Sequence, residues 1–387
     1  MLDEDTQKRA LRAVALQFLV NGAVISSYIP RLPEIRDAFG VDLSVIGWLL
    51  TFASFGGLLG SWLSGRVMTK FGTRKAMIVG TTGLIILLPL VAVAPTVWAL
   101  LLILAGLMLV DVIVDVAMNI QGSNLSAQRD KPVMSRLHGL WSIGSVLGGL
   151  LAAGMAALAV PLWLHLSLAS LLMLLALLYI GGGLLRSDQV ELSPEQQAGA
   201  KVAKTRTPVS LWLFALLGAV TYVPEMVSSD WAAFRLKDDL GVGVGAAGMG
   251  YVAFTIGMVC GRLSGDELTA RLGKQRLFDY ALIVAGIGLA LACLVDYVPL
   301  TYISLTLAGL GISVLFPALY DAAAQDAHRP GAALGAMTAG SRSIMLIAPA
   351  SLGFLAATSW FSVGMAMAIM ALPCLWLIGI GSRRIGR

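Results

Sequence analysis

Charged side chains are scarce in this 387-residue sequence. Asp, Glu, Lys and Arg make up 13% of it, against about 25% in an ordinary soluble chain, while hydrophobic residues make up 58%. The mean hydropathy is +0.84. A soluble core could not bury so much apolar surface, whereas lipid can surround it. The shortage of charge therefore argues against a soluble protein and indicates a membrane protein.

Cysteine and histidine are also rare, at three residues each. Cys260, Cys293 and Cys374 lie inside apolar runs without the spacing of a pair, so we expect neither disulfides nor a metal site. The sequence has no Walker phosphate loop, no HExxH and no GxSxG motif, and no soluble segment long enough for a nucleotide site. A channel would need a repeated filter, which is not visible either. We therefore expect no enzyme activity, no catalytic residue and no cofactor.

Apolar runs long enough to cross a bilayer recur along the whole chain. A bilayer core of about 30 Å needs about 20 apolar residues per spanning helix. Runs of this kind lie at 11–30, 44–66, 77–95, 98–122, 137–158, 160–185, 208–230, 243–265, 277–296, 299–323, 334–357 and 360–381. Every backbone group in lipid must be hydrogen-bonded internally, so these runs have to be helices. The predicted fold class is an all-α membrane protein with twelve transmembrane helices.

The 27 lysines and arginines are distributed unevenly between the two sides of the predicted spans. If the N-terminus is cytoplasmic, 21 lie in inner segments, four in outer loops, and two, Arg262 and Arg342, within spans. Cytoplasmic loops of membrane proteins carry an excess of basic residues. We therefore expect a monomer in the bacterial inner membrane with both termini in the cytoplasm. This distribution accounts for the pI of about 9.2 without a nucleic-acid partner.

One long hydrophilic stretch, 186–207, divides the chain. It separates a predicted six-helix bundle at 1–185 from a second at 208–387 and lies on the inner side. Shifting the first bundle by 201 positions aligns six glycines with glycines: Gly40/Gly241, Gly47/Gly248, Gly56/Gly257, Gly60/Gly261, Gly72/Gly273 and Gly139/Gly340. The same shift pairs Trp141 with Arg342. Alternating-access transporters are built from parallel repeats of this kind.

A glycine and basic motif follows the second span. It reads Gly65-Arg-Val-Met-Thr-Lys-Phe-Gly72-Thr-Arg-Lys75, and a weaker copy runs from Gly261 to Gly273. Both resemble the loop motif of the major facilitator superfamily, which latches the two halves on the cytoplasmic side. The resemblance covers nearly the whole chain and implies gating roles for Gly65, Lys70, Gly72, Arg74, Lys75, Asp266, Arg271 and Gly273. Thr69 stands where the family has an Asp, and a tight turn with inner-side cations remains the alternative.

Two shorter runs narrow the resemblance. Asp-Val-Ala-Met-Asn at 115–119 and Gly-Arg-Leu-Ser-Gly-Asp at 261–266 are similar to a bacterial branch that includes fucose permease and a rhizopine-associated membrane protein. The fifth span reads Gly144-Ser-Val-Leu-Gly-Gly149 and lacks the glycine-proline motif that antiporters of the family tend to carry. This absence weakens an assignment as a drug antiporter without excluding it.

Asp111, Asp115 and Asn119 form an acidic stripe in the fourth span. They are four residues apart, so they share one helix face. An ionised side chain at mid-bilayer costs at least about 2.5–3.5 kcal/mol, and two carboxylates one turn apart in a poorly hydrated site cannot easily both ionise. We expect this pair to carry protons, with Asp115 ranked ahead of Asp111. A fixed ion pair with Arg342, or a structural hydrogen bond, is the alternative.

The family resemblance also implies that helices 1, 4, 7 and 10 line a central cavity. On that basis, the candidates for the substrate cavity are Gln17, Asn21, Asn119, Tyr222, Phe316 and Tyr320, with Glu225 as a third proton-coupling acid. Arg342 of the eleventh span is added to the cavity because it is a cation well inside the membrane that could bind an anionic substrate or pair with an Asp. Glu225 lies toward the outer end of its helix, where it could simply be solvated. The tyrosines could be packed residues, and Arg342 could extend toward the inner face.

These features together lead to a functional prediction. We expect proton-linked secondary transport of a small polar organic solute, with the solute and protons as partners in a lipid bilayer. Proton-driven efflux of drugs or metabolites is the second hypothesis, and an uncoupled facilitator is the third. The identity of the solute does not follow from the sequence.

Overall fold

The computed structural model describes residues 3–128, 133–186, 189–190, 209–325 and 330–385. All regular structure in these residues is helical. The helices are α1 (Glu4–Ser26), α2 (Leu32–Phe39), α3 (Leu43–Val93), α4 (Val97–Ala127), α5 (Met134–Ala157), α6 (Leu162–Gly183), α7 (Val209–Asp230), α8 (Val244–Leu272), α9 (Lys274–Leu294), α10 (Val298–Ala324), α11 (Pro330–Met345), α12 (Ala348–Ala357) and α13 (Val363–Ile385). A 3₁₀ turn, Ile29–Arg31, precedes α2, and a short helix, Ala232–Phe234, with a π-helical turn, Arg235–Asp239, precedes α8.

The predicted number of spans is confirmed. Eleven helical segments within the described residues are long and apolar enough to cross a membrane. One of them, α3, has 51 residues and is two spans joined by a turn at Gly72. The twelve apolar runs of the sequence are therefore all helical.

Four glycines with positive φ show that the repeat extends to the backbone. Gly72 and Gly273 have φ of 75° and 80°, with ψ of 160° and 154°. Gly40 and Gly241 have φ of 61° and 67°. L-residues with a side chain rarely adopt these angles, so each pair marks a turn that only glycine makes without strain. Both pairs are 201 positions apart, as predicted.

Close helix contacts confirm this register for α3 and α4. A Cβ atom on Gly56 would lie 1.9 Å from the Ala105 carbonyl oxygen, and one on Gly257 would lie 2.0 Å from that of Thr306. Ala105 and Thr306 are again 201 positions apart. Such glycines let helix backbones touch in lipid, where no hydrophobic effect draws helices together.

The register of α1 and α5 differs from the predicted one. Gly144 packs against the Leu19 carbonyl, and Gly340 packs in the same way against that of Ala215. Both steps are 196 positions, five fewer than predicted, because the connections around these helices differ in length between the halves. Gly340 is therefore the counterpart of Gly144 and not of Gly139. By the same step, the counterpart of Trp141 is Met337 and not Arg342.

The described residues fall into two compact units. Unit 1 contains α1, α4, α6 and most of α3 and α5, whereas unit 2 contains α7 to α13. Two pieces of the first half belong to unit 2 by their contacts, namely segment 29–51 and residues 156–158. Most of the predicted linker at 186–207 lies outside the described residues, so the predicted bundle boundaries stay a prediction.

The eleventh span, predicted as one helix over 334–357, is broken. α11 ends at Met345, and α12 begins at Ala348. Pro349 lies in the first turn of α12, where its missing N–H leaves no intrahelical bond unmade, and its ring would clash with the carbonyl of Met345, so a new helix start is favoured here. The Ala350 N–H at the new helix start donates to the Thr51 hydroxyl at 3.1 Å.

Candidate functional site

Three polar side chains meet inside unit 1, and we call them the Asn21 cluster: Asn21, Asp111 and Trp141. The Asn21 amide nitrogen donates to Asp111 Oδ1 at 2.8 Å, and the Trp141 indole N–H donates to Asn21 Oδ1 at 2.9 Å. The cluster joins α1, α4 and α5. Asn21 is buried, with 4% of its surface exposed. The prediction placed Asn21 and Asp111 in a functional region but did not include Trp141 in it.

Close packing of α1 against α5 brings these groups within reach. A Cβ atom on Gly22 would lie 2.0 Å from the Trp141 carbonyl oxygen, so the two backbones touch. The Ser145 hydroxyl donates to the Gly22 carbonyl at 3.0 Å and fixes the same crossing. The indole of Trp141 can therefore cross to Asn21 without displacing either helix.

The second carboxylate of the stripe lies one turn further along α4. Asn119 Nδ2 donates to Asp115 Oδ1 at 3.1 Å and to the Asp115 carbonyl at 2.8 Å. Four residues of helix rise about 6 Å, so Asp111 and Asp115 are neighbours on one face. Both carboxylates are half-buried. Within the described part of unit 1, no Lys or Arg forms an ion pair with Asp111.

The equivalent positions of unit 2 are apolar. The counterparts of Asn21, Asp111 and Trp141 are Leu217, Ile312 and Met337, by the steps of 196, 201 and 196 positions. These three side chains are buried, at 1%, 2% and 0% exposure. The same helix crossing is thus stable with hydrocarbon at all three positions, and the fold itself does not require the polar cluster.

Gln17 has a structural environment. It is fully buried, its amide nitrogen donates to the Thr81 hydroxyl at 3.0 Å, and that hydroxyl donates back to Gln17 Oε1 at 3.2 Å. The pair connects α1 to α3 and satisfies both groups inside unit 1.

A second polar group lies in unit 2 around Tyr222. The Glu225 carboxylate lies 3.8 Å from the Arg262 guanidinium, and both side chains are about two-fifths exposed, at 38% and 42%. Tyr222 and Glu225 are three residues apart on α7, so they share a helix face. Arg342 lies in the last turn of α11, directly before the helix break, where the negative end of the helix dipole stabilises a cation. The ion pair of Glu225 is therefore with Arg262, which the sequence placed within a span but not in the predicted site.

The two predicted aromatic residues of α10 stack on each other. The rings of Phe316 and Tyr320 are 5.8 Å apart with an interplanar angle of 23°. Tyr320 is 39% exposed. The two rings lie in the C-terminal third of α10.

The glycine and basic motif of unit 1 is a turn of one residue rather than a loop. Helix continues to Phe71 and resumes at Thr73, so only Gly72 leaves the helical conformation. Arg74 donates to the Gly181 carbonyl at 2.8 Å and covers the end of α6. The buried Gln121 of α4, which the sequence analysis did not single out, donates to the Thr73 hydroxyl and to the Leu185 carbonyl, both at 3.1 Å. The sequence did offer one indication of this role, because Gln121 is a polar residue within a predicted span.

The corresponding turn of unit 2 is surrounded by exposed charges. The Arg271 guanidinium pairs with Glu267 one turn earlier on α8. Lys274 Nζ lies 3.4 Å from an Asp321 carboxylate oxygen, which connects α9 to the end of α10. Asp266 is exposed on α8. Gly65, Lys70 and Lys75 likewise lie on or beside the exposed face of α3.

Segment 29–51 carries half of a charged cluster within unit 2, which we call the outer cluster: Arg36, Asp37, Lys237 and Asp238. Arg36 donates to Asp238 through two nitrogens, one of them at 2.9 Å, and Lys237 pairs with Asp37. Arg36 and Lys237 are 201 positions apart, as are Asp37 and Asp238. Each half therefore contributes a cation and a carboxylate at equivalent positions, and each cation pairs with the carboxylate of the other half. These pairs were not predicted, although the shared step of 201 positions is present in the sequence.

Two helix starts outside the spans have acidic caps. Asp42 precedes α3, and its Oδ1 accepts from the Ser44 and Val45 N–H groups at 2.9 Å and 3.1 Å. The Ser44 hydroxyl, with these N–H groups, lowers the pKa of the Asp42 carboxyl. Asp3 caps α1 in the same way, and its bonds to Thr6 lower the pKa of that carboxyl.

No group of three or more His, Cys, Asp or Glu side chains among the described residues is arranged to hold a metal ion.

Comparisons with known proteins agree with this architecture. The family model that matches residues 14–349 is described as Major Facilitator Superfamily. An uncharacterised MFS-type transporter of Yersinia pestis is 30% identical over 357 residues, which are 90% of this chain and 89% of that protein. The membrane protein MosC of Rhizobium meliloti is 26% identical over 82% of this chain and 76% of its own length.

A solved structure shows the same fold. It is a bacterial homologue of the human lysosomal transporter Spinster, crystallised in an inward-facing and occupied conformation. It superposes with a TM-score of 0.74 at 14% identity, over 99% of this chain and 98% of that chain. At this identity the likeness concerns the fold alone.

Proposed function

Because the chain belongs to the major facilitator superfamily, we propose that it moves a small polar organic solute across the inner membrane by alternating access, coupled to protons through Asp111 and Asp115. That it is a membrane transporter follows from the family. The coupling, the direction and the class of solute are the proposal.

The observation that supports proton coupling is the contrast between the two halves. The Asn21 cluster occupies positions that hold Leu217, Ile312 and Met337 in unit 2. A charged side chain in the middle of a spanning helix costs about 2.5–3.5 kcal/mol or more. A carboxylate at a position where the same fold packs well with hydrocarbon is best explained by function.

The hydrogen bonds of the cluster suit a group that gains and loses a proton. Trp141 holds the Asn21 oxygen, so the amide nitrogen must face Asp111. Asp111 and Asp115 are one turn apart, and the two protons of such a pair are released in coupled steps. A proton on one carboxyl removes the repulsion with the other. The pair can therefore alternate between singly and doubly protonated forms as it becomes accessible first from one side of the membrane and then from the other.

Alternating access also requires contacts that break and re-form. Segment 29–51 comes from the first half of the sequence and is held within unit 2 by the outer cluster and by the Thr51–Ala350 hydrogen bond. We assign to these contacts the role of opening and closing on the outer side. On the inner side, we assign the corresponding role to the turns at Gly72 and Gly273 and to the charges around them, in keeping with the family motif.

The test begins with a thermal-shift screen of sugars, inositols, carboxylates and drugs on the purified protein. The solute that stabilises it is then used in proteoliposomes to measure uptake driven by a pH gradient and, separately, counterflow exchange without a gradient. Asp115→Asn should abolish gradient-driven transport and spare counterflow. Asp111→Asn should do the same or shift the pH optimum. Asp279→Asn, which removes a carboxylate of α9, is the matched control.

The outcomes separate the hypotheses. The sign of the pH change that accompanies solute movement distinguishes symport from antiport efflux. Solute movement without any pH change would indicate an uncoupled facilitator. Full gradient-driven transport in both amide variants and in the double variant would show that Asp111 and Asp115 are structural.

A further inference from the structure

A basic groove lies at one end of unit 1, where α1 begins and α6 ends. It has a cavity of about 460 Å³, lined by the first two turns of α1 and by Tyr179, Gly182 and Gly183 of α6. A second cavity of about 250 Å³ adjoins it and shares Arg9, Gly182 and Gly183 with it. We call the two together the α1–α6 groove.

The groove concentrates positive charge. Its lining includes five cations, Lys8, Arg9, Arg12, Arg74 and Arg186, against a single carboxylate, Asp5. Glu4, which is not part of the lining, pairs with Lys8 at 2.6 Å, and both side chains are mostly exposed. Five cations around about 700 Å³ of open space form a site for a phosphate-sized anion rather than for a cationic or neutral group.

Glycine creates the space. A Cβ atom on Gly183 would lie 2.7 Å from the Ala13 Cβ, so α6 touches α1 at the floor of the groove. A Cβ atom on Gly182 would have no atom within 4 Å, because this residue faces the open cavity. The end of α6 is therefore narrow where the groove is, and a side chain at residue 182 would fill it.

The surface next to the groove is apolar and exposed. Leu171, Leu175 and Leu178 lie on the same face of α6 as Gly182, at steps of four, three and four residues, and they are 51%, 56% and 73% exposed. Tyr179, which is 55% exposed, lies at the boundary between these leucines and the cations. Tyrosine is enriched at this level of a bilayer. A ligand with its anionic head in the groove would place its chains against this leucine face.

We propose that the α1–α6 groove binds the headgroup of an anionic phospholipid. A free phosphate compound would use the cations but not the leucine face, so the continuity of the two surfaces favours the lipid. Basic pockets between helices at a membrane surface bind anionic headgroups by this combination of charge and depth. The site lies within unit 1 and is separate from the Asn21 cluster and from the proposed proton pathway.

The test uses the full-length protein in a neutral detergent. Retention of phosphatidylglycerol and of phosphatidylcholine is measured by native mass spectrometry, and the apparent melting temperature is measured with each lipid. We expect phosphatidylglycerol to be retained more strongly and to raise the melting temperature more than phosphatidylcholine does. Gly182→Leu, which places a bulky side chain in the cavity and leaves every charge in place, should lower phosphatidylglycerol retention about tenfold.

Two further variants complete the design. Arg9→Gln with Arg12→Gln removes charge without filling the cavity and should also lower retention by roughly tenfold or more. Gly154→Leu is the matched control, since a Cβ atom there also meets nothing within 4 Å but lies on α5, away from the groove. It should retain phosphatidylglycerol as the parent does. Should Gly182→Leu fail to fold, the arginine variants still decide the question.

Three results would overturn the proposal. The first is equal retention of the two lipids by the parent protein. The second is parental retention of phosphatidylglycerol in both the filled and the charge-depleted variants. The third is equal thermal protection by glycerol phosphate and by phosphatidylglycerol, which would identify a site for a soluble phosphate compound instead of a lipid.

Discussion

A comparison of equivalent positions in the two halves distinguishes polar side chains that the fold requires from those that it does not require. Gln17 and Thr81 satisfy each other inside unit 1 and behave as packing residues. Asp111 is different, because its counterpart Ile312 is a buried apolar side chain in the second half. Trp141 gives the Asn21 cluster its direction, since its indole can only donate.

Replacing Trp141 by phenylalanine tests this direction. Trp141→Phe keeps an aromatic ring and removes the hydrogen bond to Asn21, so the unfolding free energy should fall by about 0.5–1 kcal/mol. The freed amide of Asn21 can then rotate, and the pH dependence of transport should shift. Both are measured on purified protein, by thermal unfolding and by transport at a series of pH values. Trp98→Phe, at a side chain that is 75% exposed, is the control. An unchanged pH profile in Trp141→Phe would separate the indole from the coupling.

Segment 29–51 belongs to the first half of the sequence but lies in unit 2, and its contacts explain this placement. Its charges pair with the turn before α8, and its last residue, Thr51, caps α12. Gly47 touches the Pro349 carbonyl, since a Cβ atom there would lie 2.5 Å from that oxygen. The break in the eleventh span thus has a packing consequence, because it exposes a helix start that Thr51 can cap.

Removal of Asp238 should loosen this segment. The experiment places Thr51→Cys in a chain whose native Cys260, Cys293 and Cys374 are alanine, and it measures labelling by a membrane-impermeant maleimide. Thr51 is 1% exposed, so labelling should be slow. Asp238→Ala removes the partner of Arg36 and should speed labelling about fivefold, the effect of roughly 1 kcal/mol in a partly exposed ion pair.

Glu267→Ala is the control for this experiment. It removes the ion pair with Arg271, which lies within α8 and is separate from segment 29–51, so labelling of Cys at residue 51 should not change. A labelling rate in Asp238→Ala equal to that of the parent would mean that the outer cluster does not hold the segment closed.

For the whole molecule, the distribution of basic residues predicts the orientation in the membrane. Twenty-one of 27 lysines and arginines fall in segments that the sequence predicts on the same side as the termini. A fluorescent protein fused after Arg387 should therefore fluoresce, and alkaline phosphatase at the same point should be inactive. The same two reporters inserted after Gly40, in the turn between α2 and α3, should give the reverse result. Active phosphatase at the C-terminus would invert the topology.

The number of spans, the all-α class, the family and the acidic stripe of α4 can all be read from the sequence alone. These properties depend on short stretches of sequence. An apolar run in lipid has to form a helix, and a glycine with positive φ makes the same turn in both halves. The predicted pairing of Gly72 with Gly273, 201 positions apart, was confirmed for this reason. The repeat was predicted with the correct step for α3 and α4.

Which side chains meet cannot be read from the sequence and follows from the packing of the helices. Asn21 bonds to a carboxylate 90 residues away, and Trp141 reaches back 120 residues to Asn21. These contacts depend on how closely α1 and α5 cross, which Gly22 and Gly144 set through backbone contact. The same backbone contacts reveal the five-residue change of register in α1 and α5. Hydropathy indicates that each helix lies in lipid. It carries no information on how the helices cross, and the crossings determine which side chains form hydrogen bonds.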